Sequence, residues 1–193
     1  IKGDPGDPNA AFLLEGMMEV IGDAVASGEI TIVGEAFSDG WKPENAQKNM
    51  EQILTANDNN VDAVLSQNDG MAGGVVAALA AQGLVIPVGG QDGDLSAINR
   101  VARGTQTVSV WKDARQLGKA AGEIASALAN GDAMSSIAGA STFNGGEKGI
   151  EMNAILLKPT PITRETLSVA IDAGHISKEA ACEGAMAGVT ACE

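Results

Sequence analysis

Two groups of polar side chains each follow a short, mostly apolar run in the middle of the chain. Gln67, Asn68 and Asp69 come after residues 61–65, and Gln91, Asp92, Gly93 and Asp94 come after residues 85–88. Carboxylates accept hydrogen bonds, and amides both donate and accept them. The two groups contain no lysine. This chemistry suits a neutral polyol better than a phosphate.

The elements around these groups predict that they lie together. Residues 61–65 are typical of a buried parallel strand, and the following helix is predicted from apolar side chains at helical spacing. Gly83 ends that helix, and residues 85–88 begin the next strand. Because the carboxyl ends of parallel strands meet at one sheet edge, both polar groups are expected at the edge where open α/β proteins bind ligands.

Strands alternate with helices along the rest of the chain. Strands are predicted at residues 29–36, 106–110 and 152–157, and Asp69 and Asp113 are predicted to cap helices. This alternation predicts βαβ units and a doubly wound α/β fold with a parallel sheet. Residues 131–149 show no clear periodicity.

Composition narrows the classes of function. The chain has 193 residues, a net charge of −13 and 3% aromatic residues, so one domain or slightly more is expected. Nucleic acid is not an expected partner, because its phosphates require a basic surface. No apolar run is long enough to span a bilayer, so no membrane insertion is expected.

Several other chemistries are disfavoured. A calcium loop starting at Asp58 would need glycine where Ala63 stands and glutamate where Asp69 stands. The glycines after Asp69 lack the lysine of a phosphate loop. His175 is the single histidine and has no nucleophile pattern nearby. We therefore expect no metal, no cofactor and no catalytic residue.

Five blocks of sequence together carry a family resemblance. They are GDPGDPNAAF, FSDGWKPENAQKNMEQILTAN, VDAVLSQNDGMAGG, GGQDGD and GTQTVSVWKDARQLGKAAGEIA. In this order they resemble the periplasmic D-xylose-binding proteins, which belong to the pentose and ribose group of sugar receptors that serve ABC transporters. The likeness extends over nearly the whole chain.

The resemblance implies a type I periplasmic binding protein fold, represented mainly by its C-terminal lobe. Residues 1–109 and 153–193 would form that lobe. Residues 110–152 would cross the hinge and belong to the N-terminal lobe, whose remainder is expected to lie outside this sequence.

The resemblance also implies a set of sugar-contacting residues. They are Asp7, Asn9, Trp41, Asn68, Asp92 and Lys112. Each has an alternative role: the aspartates and asparagines could cap helices or shape turns, Trp41 could pin its loop, and Lys112 could be a solvated surface charge. The family pattern often has asparagine where Pro8 stands. The proline in this chain would stiffen the turn without removing the contacts of Asp7 and Asn9.

Cys182 and Cys192 are the two cysteines, both near the end of the chain. We expect a disulfide between them, which suits an oxidising compartment, and two free thiols are the alternative.

The resulting hypothesis is a non-enzymatic periplasmic receptor that binds D-xylose or a related pentose and delivers it to an ABC permease. One alternative is the effector domain of a sugar-responsive transcription regulator. Another is an α/β enzyme that uses Asp92 or Asp69.

Overall fold

The computed structural model describes residues 1–146 and 148–193, which form two units. Ile1–Trp111 and Pro161–Glu193 make up the first unit, and Lys112–Thr160 make up the second. The predicted boundaries after residues 109 and 152 differ from these by two and eight residues. Residues 153–160 stay with the second unit, where Met152–Ala154 pair with a neighbouring strand. The assignment of these units to lobes of a receptor stays a prediction.

The strands of the described chain are short, and most helices have two to five turns. The strands are β1 (Val64–Leu65), β2 (Val88–Asp92), β3 (Val108–Trp111), β4 (Ser141–Phe143), β5 (Met152–Ala154) and β6 (Thr160–Ile162). The helices are α1 (Pro8–Ser27), α2 (Pro43–Ala56), α3 (Asp69–Ala81), α4 (Leu95–Ala102), α5 (Ala114–Ala129), α6 (Leu167–Asp172) and α7 (Lys178–Cys182). Short 3-10 helices occupy Asp39–Trp41, Met134–Ser136 and Thr190–Cys192.

A parallel sheet organises the first unit, as predicted. Its strand order is β1-β2-β3-β6, and β2 runs parallel to both β1 and β3. α3 connects β1 to β2 and α4 connects β2 to β3, so the carboxyl ends of these three strands share one edge. The predicted α/β class is confirmed.

Residues 1–3 form further parallel contacts beside β1. The N-terminal nitrogen of Ile1 donates to the Leu65 carbonyl at 2.8 Å, and the Gln67 amide donates to the Ile1 carbonyl at 3.1 Å. On the opposite side, the Lys2 amide donates to the Ala36 carbonyl at 2.8 Å and Lys2 forms a parallel bridge with Phe37. This short segment therefore lies between β1 and the chain that leads to Phe37.

The prediction of a strand at residues 29–36 is wrong, because these residues form no strand in this structure. Among the described residues, only the bridge at Phe37 pairs this part of the chain. Ile30, Ile32 and Val33 are 39%, 43% and 42% exposed. Residues 30–34 have the composition of a strand, but a strand also requires a hydrogen-bonded neighbour.

Two apolar clusters stabilise the first unit. One joins α2, α3 and the first strands and consists of Met50, Leu54, Val64, Ala72, Val75, Ala78, Leu79 and Val88. The other includes Ile98, Val101, Trp111, Ile162, Leu167 and Ala170. α2 begins at Pro43, and it approaches α3 at Gly74. A Cβ atom on Gly74 would lie only 2.1 Å from the Pro43 carbonyl oxygen.

The second unit contains α5 and an antiparallel pair of strands. Asp113 caps α5 as predicted, because its side chain accepts a hydrogen bond from the Arg115 amide at 3.1 Å. The strand predicted at residues 152–157 is confirmed only as far as Ala154. The strand that joins the first sheet is β6, which contains Pro161.

The C-terminal segment of the first unit is anchored on α4. Cys182 and Cys192 form a disulfide with an S–S distance of 2.02 Å. The Asn99 side-chain amide donates to the carbonyls of Ala180, Ala181 and Glu183 at 3.2, 3.2 and 2.8 Å.

Candidate functional site

Asp7 and Trp41 come together directly. One carboxylate oxygen of Asp7 accepts from the Asn9 amide at 2.9 Å, which caps α1, and the other accepts from Trp41 Nε1 at 3.1 Å. The Trp41 ring packs on Gly3, where a Cβ atom would lie 2.2 Å from the ring. Asp7 therefore has its alternative role as a helix cap, and Trp41 has its alternative role as the anchor of its loop. Trp41 is only partly buried and Asn9 is exposed.

Asp4 is a residue that the sequence reasoning missed. One of its carboxylate oxygens accepts from the Gly6 amide at 2.7 Å, and the other accepts from the Gly40 amide at 2.6 Å. Its pKa is lowered, first by the bond from Gly40 and then by the bond from Gly6. Asp4 thereby joins the turn before α1 to the turn that carries Trp41.

Gln67 is a second missed residue, and it connects this turn to the end of β1. Its side chain is 1% exposed. Its carbonyl oxygen accepts from the Gly3 amide at 2.7 Å, and its Nε2 donates to the Ala10 carbonyl at 2.8 Å. Because Asn68 directly follows Gln67, this link also brings Asn68 close to the first turns of the chain.

The predicted cap of α3 is wrong: Asn68, not Asp69, caps this helix. Asn68 Oδ1 accepts from the Met71 amide at 2.8 Å. Both residue types make good caps. Asn68 takes the role here because Asp69 is fully buried and hydrogen-bonded to another loop.

Asp69 fixes the turn that follows β2. One carboxylate oxygen accepts from the Gly93 amide at 2.9 Å, the Asp94 amide at 3.0 Å and Ser109 Oγ at 2.5 Å. The other accepts from Gln106 Nε2 at 2.8 Å. Burial raises the pKa of Asp69, and the hydrogen bonds partly oppose that rise. The turn that carries Asp92 is thus tied to the start of α3.

The opposite side of this turn rests on Trp111 and His175. A Cβ atom on Gly93, whose φ is +80°, would lie 2.1 Å from Trp111. His175 Nε2 lies 2.6 Å from the Gly93 carbonyl oxygen, and the centroids of the His175 and Trp111 rings are 4.8 Å apart. The single histidine therefore supports the turn next to Asp92.

Two of the predicted contact residues have unusual backbone conformations. Asp92 has a φ of +112° and Trp41 a φ of +58°. Non-glycine residues rarely adopt positive φ, and such strain is concentrated at functional sites. Asp92 is half-buried at the end of β2. Together with burial, its negative charge raises the pKa of Asp94.

Asp7, Trp41, Asn68 and Asp92 thus lie in loops that are connected by the buried side chains of Gln67 and Asp69. Carboxylate and amide groups in such loops can bind the hydroxyls of a neutral ligand. No cluster of three or more potential metal ligands occurs among the described residues. No helix in residues 1–146 or 148–193 is long and apolar enough to cross a membrane. Lys112 is the first residue of the second unit, and its contact with a ligand stays a prediction.

For Gln67 and for the buried role of Asp69, the sequence carried a signal that was visible but ambiguous. Gln67 and Asp69 flank Asn68 directly after a buried strand. The sequence shows that polar groups gather there, but it does not show which of them turn inward.

The fold is that of a type I periplasmic binding protein. Residues 1–133 match the family described as "Periplasmic binding protein domain", and the chain belongs to this family. It is 41% identical over 179 residues to the D-xylose-binding periplasmic protein of Escherichia coli (strain K12), covering 92% of this chain and 53% of that protein. A protein of the same name from Haemophilus influenzae is 40% identical, with coverage of 92% and 53%. The chain therefore spans about half the length of these relatives.

Solved structures support the same fold. A solute-binding protein of an ABC transporter from Clostridium phytofermentans, with bound β-D-glucose, matches with a TM-score of 0.80 and 27% identity over 94% of this chain and 59% of that chain. A carbohydrate transporter solute-binding protein from Chloroflexus aurantiacus, in complex with D-glucose, matches with a TM-score of 0.81 and 25% identity over 93% and 59%. The family is one of solute-binding receptors, and the alternative of a transcription regulator is not favoured.

Proposed function

We propose that this chain supplies the C-terminal lobe of a periplasmic receptor that binds D-xylose or a related pentose and presents it to an ABC permease. The observation that carries the proposal is that buried and part-buried hydrogen bonds link the loops that carry Asp7, Trp41, Asn68 and Asp92. It occurs in a chain that is 41% identical to a D-xylose-binding protein. The receptor performs no catalysis and needs no cofactor.

The chemistry of a pentose fits these loops. Asp92 accepts hydrogen bonds from two hydroxyls, and the Asn68 amide donates to one hydroxyl and accepts from another. Asp7 and Asn9 contact further hydroxyls from the first turn. Trp41 lies against an apolar face of the sugar ring, with its Nε1 already donating to Asp7.

Selectivity follows from the polar groups that a wrong sugar leaves unpaired. A hydrogen bond to a charged group is worth about 1.5–3 kcal/mol net. Sites that bind a hydroxyl in this way discriminate strongly against analogues that lack it.

Closure of two lobes completes the binding cycle. Lys112, at the predicted hinge, donates to a sugar hydroxyl, and the missing contacts come from the N-terminal lobe. A ligand drives closure only through contacts that favour the closed state. Hinge closure therefore signals occupancy to the permease.

Calorimetric titration with D-xylose tests the proposal in a receptor of the relatives' full length that carries these 193 residues. Asp92→Asn and Asn68→Ala are expected to weaken binding roughly 10- to 100-fold, because each removes hydrogen bonds to the ligand. Asp62→Asn is the matched control, since Asp62 is exposed and lies outside these loops.

The outcomes separate the parts of the proposal. If xylose binds tightly and neither variant weakens the binding, the proposed contacts of Asp92 and Asn68 are refuted, but the function of xylose binding is retained. If the receptor binds other sugars but neither xylose nor a related pentose, the proposed ligand is refuted. The 193-residue chain alone is expected to bind weakly, and micromolar binding by it would contradict the requirement for two lobes.

A further inference from the structure

The turn that carries Asp92 has two consecutive residues with positive φ. Asp92 has a φ of +112° and Gly93 a φ of +80°. Glycine adopts such a conformation readily, whereas an aspartate in it is strained and keeps it only where the surrounding structure holds the backbone. The direction of the Asp92 carboxylate therefore depends on the contacts that fix the next residue, Gly93.

Both polar backbone groups of Gly93 are held by side chains. Its amide donates to Asp69 Oδ2 at 2.9 Å and to Ser109 Oγ at 3.1 Å. Its carbonyl oxygen lies 2.6 Å from His175 Nε2. Because a carbonyl oxygen can only accept, the hydrogen of this bond must be on Nε2. Asp69 and His175 thus hold the two polar backbone groups of one residue in the turn.

His175 is itself held in place by its neighbours. Its backbone amide donates to the Ala170 carbonyl at 3.0 Å, beyond the end of α6. The next residue, Ile176, is buried in the apolar cluster that also contains Trp111. The centroids of the His175 and Trp111 rings are 4.8 Å apart, and the ring planes meet at 34°. The imidazole is therefore directed at Gly93 by the fold of the segment that follows α6.

Packing against Trp111 does not replace the hydrogen bond from His175. A Cβ atom on Gly93 would collide with the Trp111 side chain, so the turn lies directly on that ring. Such contact excludes positions that are too close, but it does not select the direction of the carbonyl group. A hydrogen bond does select this direction, because it weakens steeply when its angle departs from linearity.

We propose that His175 is a positioning residue of the ligand site, which acts through the Gly93 carbonyl to orient Asp92 towards the sugar hydroxyls. This inference rests on the proposed function of Asp92. His175 is 82 residues from Gly93 in the chain and needs no contact with the sugar. Without its donor, the turn relaxes towards a less strained backbone, and the Asp92 carboxylate leaves the direction that the ligand requires.

Two substitutions separate the donor of His175 from its ring. His175→Phe keeps an aromatic ring beside Trp111 but has no donor, whereas His175→Gln keeps an amide donor at about the reach of Nε2. Asp172→Asn is the matched control, because Asp172 is an exposed residue at the end of α6. All variants are made in a receptor of the relatives' full length that carries these 193 residues.

Calorimetric titration with D-xylose measures the effect on the ligand site. His175→Phe is expected to weaken binding roughly 10-fold, and His175→Gln is expected to stay within about 3-fold of the wild type. Asp172→Asn is expected to bind as the wild type does. Equal affinity of His175→Phe and the wild type overturns the proposal. An equal loss in His175→Phe and His175→Gln also overturns it, because the donor is then not what matters.

Hydrogen exchange of the unliganded receptor gives a second readout, which does not depend on the sugar. The amides of Gly93 and Asp94 both donate to Asp69 in this turn. Their exchange is expected to be roughly 10-fold faster in His175→Phe than in the wild type or His175→Gln, while the buried Val75 amide of α3 keeps its rate. Unchanged exchange in the turn refutes the role of the donor. An equal increase at Val75 shows general destabilisation and refutes it as well.

The two proposals fail in different ways. If the wild type binds neither xylose nor a related pentose, the proposed function is refuted, and the exchange rates alone decide whether the His175 donor holds the turn. If the wild type binds xylose and His175→Phe binds it equally well, the function is retained and the positioning role of His175 is refuted.

Discussion

Asp69 gives the sharpest test of how the loops are held, because one buried carboxylate serves four donors. In Asp69→Ala, Gly93 N keeps Ser109 Oγ as an acceptor at 3.1 Å, and Gln106 Nε2 keeps the Val108 carbonyl at 3.0 Å. The Ser109 hydroxyl can rotate towards another acceptor.

The Asp94 amide has no second acceptor among the hydrogen bonds found for the described residues. This amide is only part-buried, so the loss of its acceptor costs about 1 kcal/mol, the low end of the range for a buried donor. Together with the other hydrogen bonds lost from the carboxylate and the small cavity left by the side chain, Asp69→Ala should lower the free energy of unfolding by about 3 kcal/mol. For a chain of this size, this loss lowers the melting temperature by roughly 6–12 °C.

Asp69→Asn should cost somewhat less, about 2 kcal/mol, because it retains one acceptor oxygen. Its amide nitrogen must face either Gln106 Nε2 or the backbone donors of the turn, so one donor–donor contact remains. Urea unfolding monitored by circular dichroism measures both variants, and Asp62→Asn is the exposed control. If both variants unfold within about 0.5 kcal/mol of that control, the carboxylate does not hold the turn.

The pH dependence of the same variants gives an independent readout. Burial raises the folded-state pKa of Asp69 above its ordinary value of 3.8. Between these two values the folded chain binds more protons than the unfolded chain, so the contribution of Asp69 to stability falls as the pH rises through this window. Relative to Asp69→Asn, the wild type should therefore gain stability on acidification from neutral pH towards 3.8. A constant difference between them over this range would contradict the assignment.

Two further predictions concern the packing of α3 and the C-terminal disulfide. Gly74→Ala should destabilise the chain by about 1–3 kcal/mol in urea unfolding, because the new methyl group meets the rigid backbone of α2. Gly16→Ala, at an open position in α1, should be neutral or stabilising by up to about 1 kcal/mol, and equal effects of the two substitutions would refute the close approach. Reduction of the bond between Cys182 and Cys192 should lower stability by about 3 kcal/mol, since it releases a short closed loop. Hydrogen exchange should then increase first in the C-terminal segment, and unchanged protection there would count against this prediction.

The sequence predicted best what depends on local pattern. α3 and the polar turns on either side of it follow from an apolar run, a helical stripe and a glycine, and the structure forms them at nearly the predicted residues. α2 also follows from its local sequence, since Pro43 favours the first helical position and Ala46, Met50 and Leu54 lie buried on one face. These features require no knowledge of distant parts of the chain.

The failures have a common cause, which is that pairing is not local. Residues 30–34 have the composition of a strand, but their state depends on a neighbour that the local pattern cannot supply. The end of the second unit shows the same limit. β5 pairs with β4 and ends at Ala154, whereas β6, which contains a proline, joins the first sheet.

The exchange of roles between Asn68 and Asp69 shows why the candidate site is harder to predict than the fold. Both residues follow the same strand and both can cap a helix, so the local sequence allows either assignment. The choice is decided by Gly93 and Asp94, whose backbone amides approach one end of α3 and require a buried acceptor. A carboxylate can accept all of these bonds, whereas an amide loses one acceptor position. The turn after β2 therefore determines that Asp69 is the residue that holds the loops together. Its neighbour Asn68 stays half-exposed in the loop that we propose contacts the ligand.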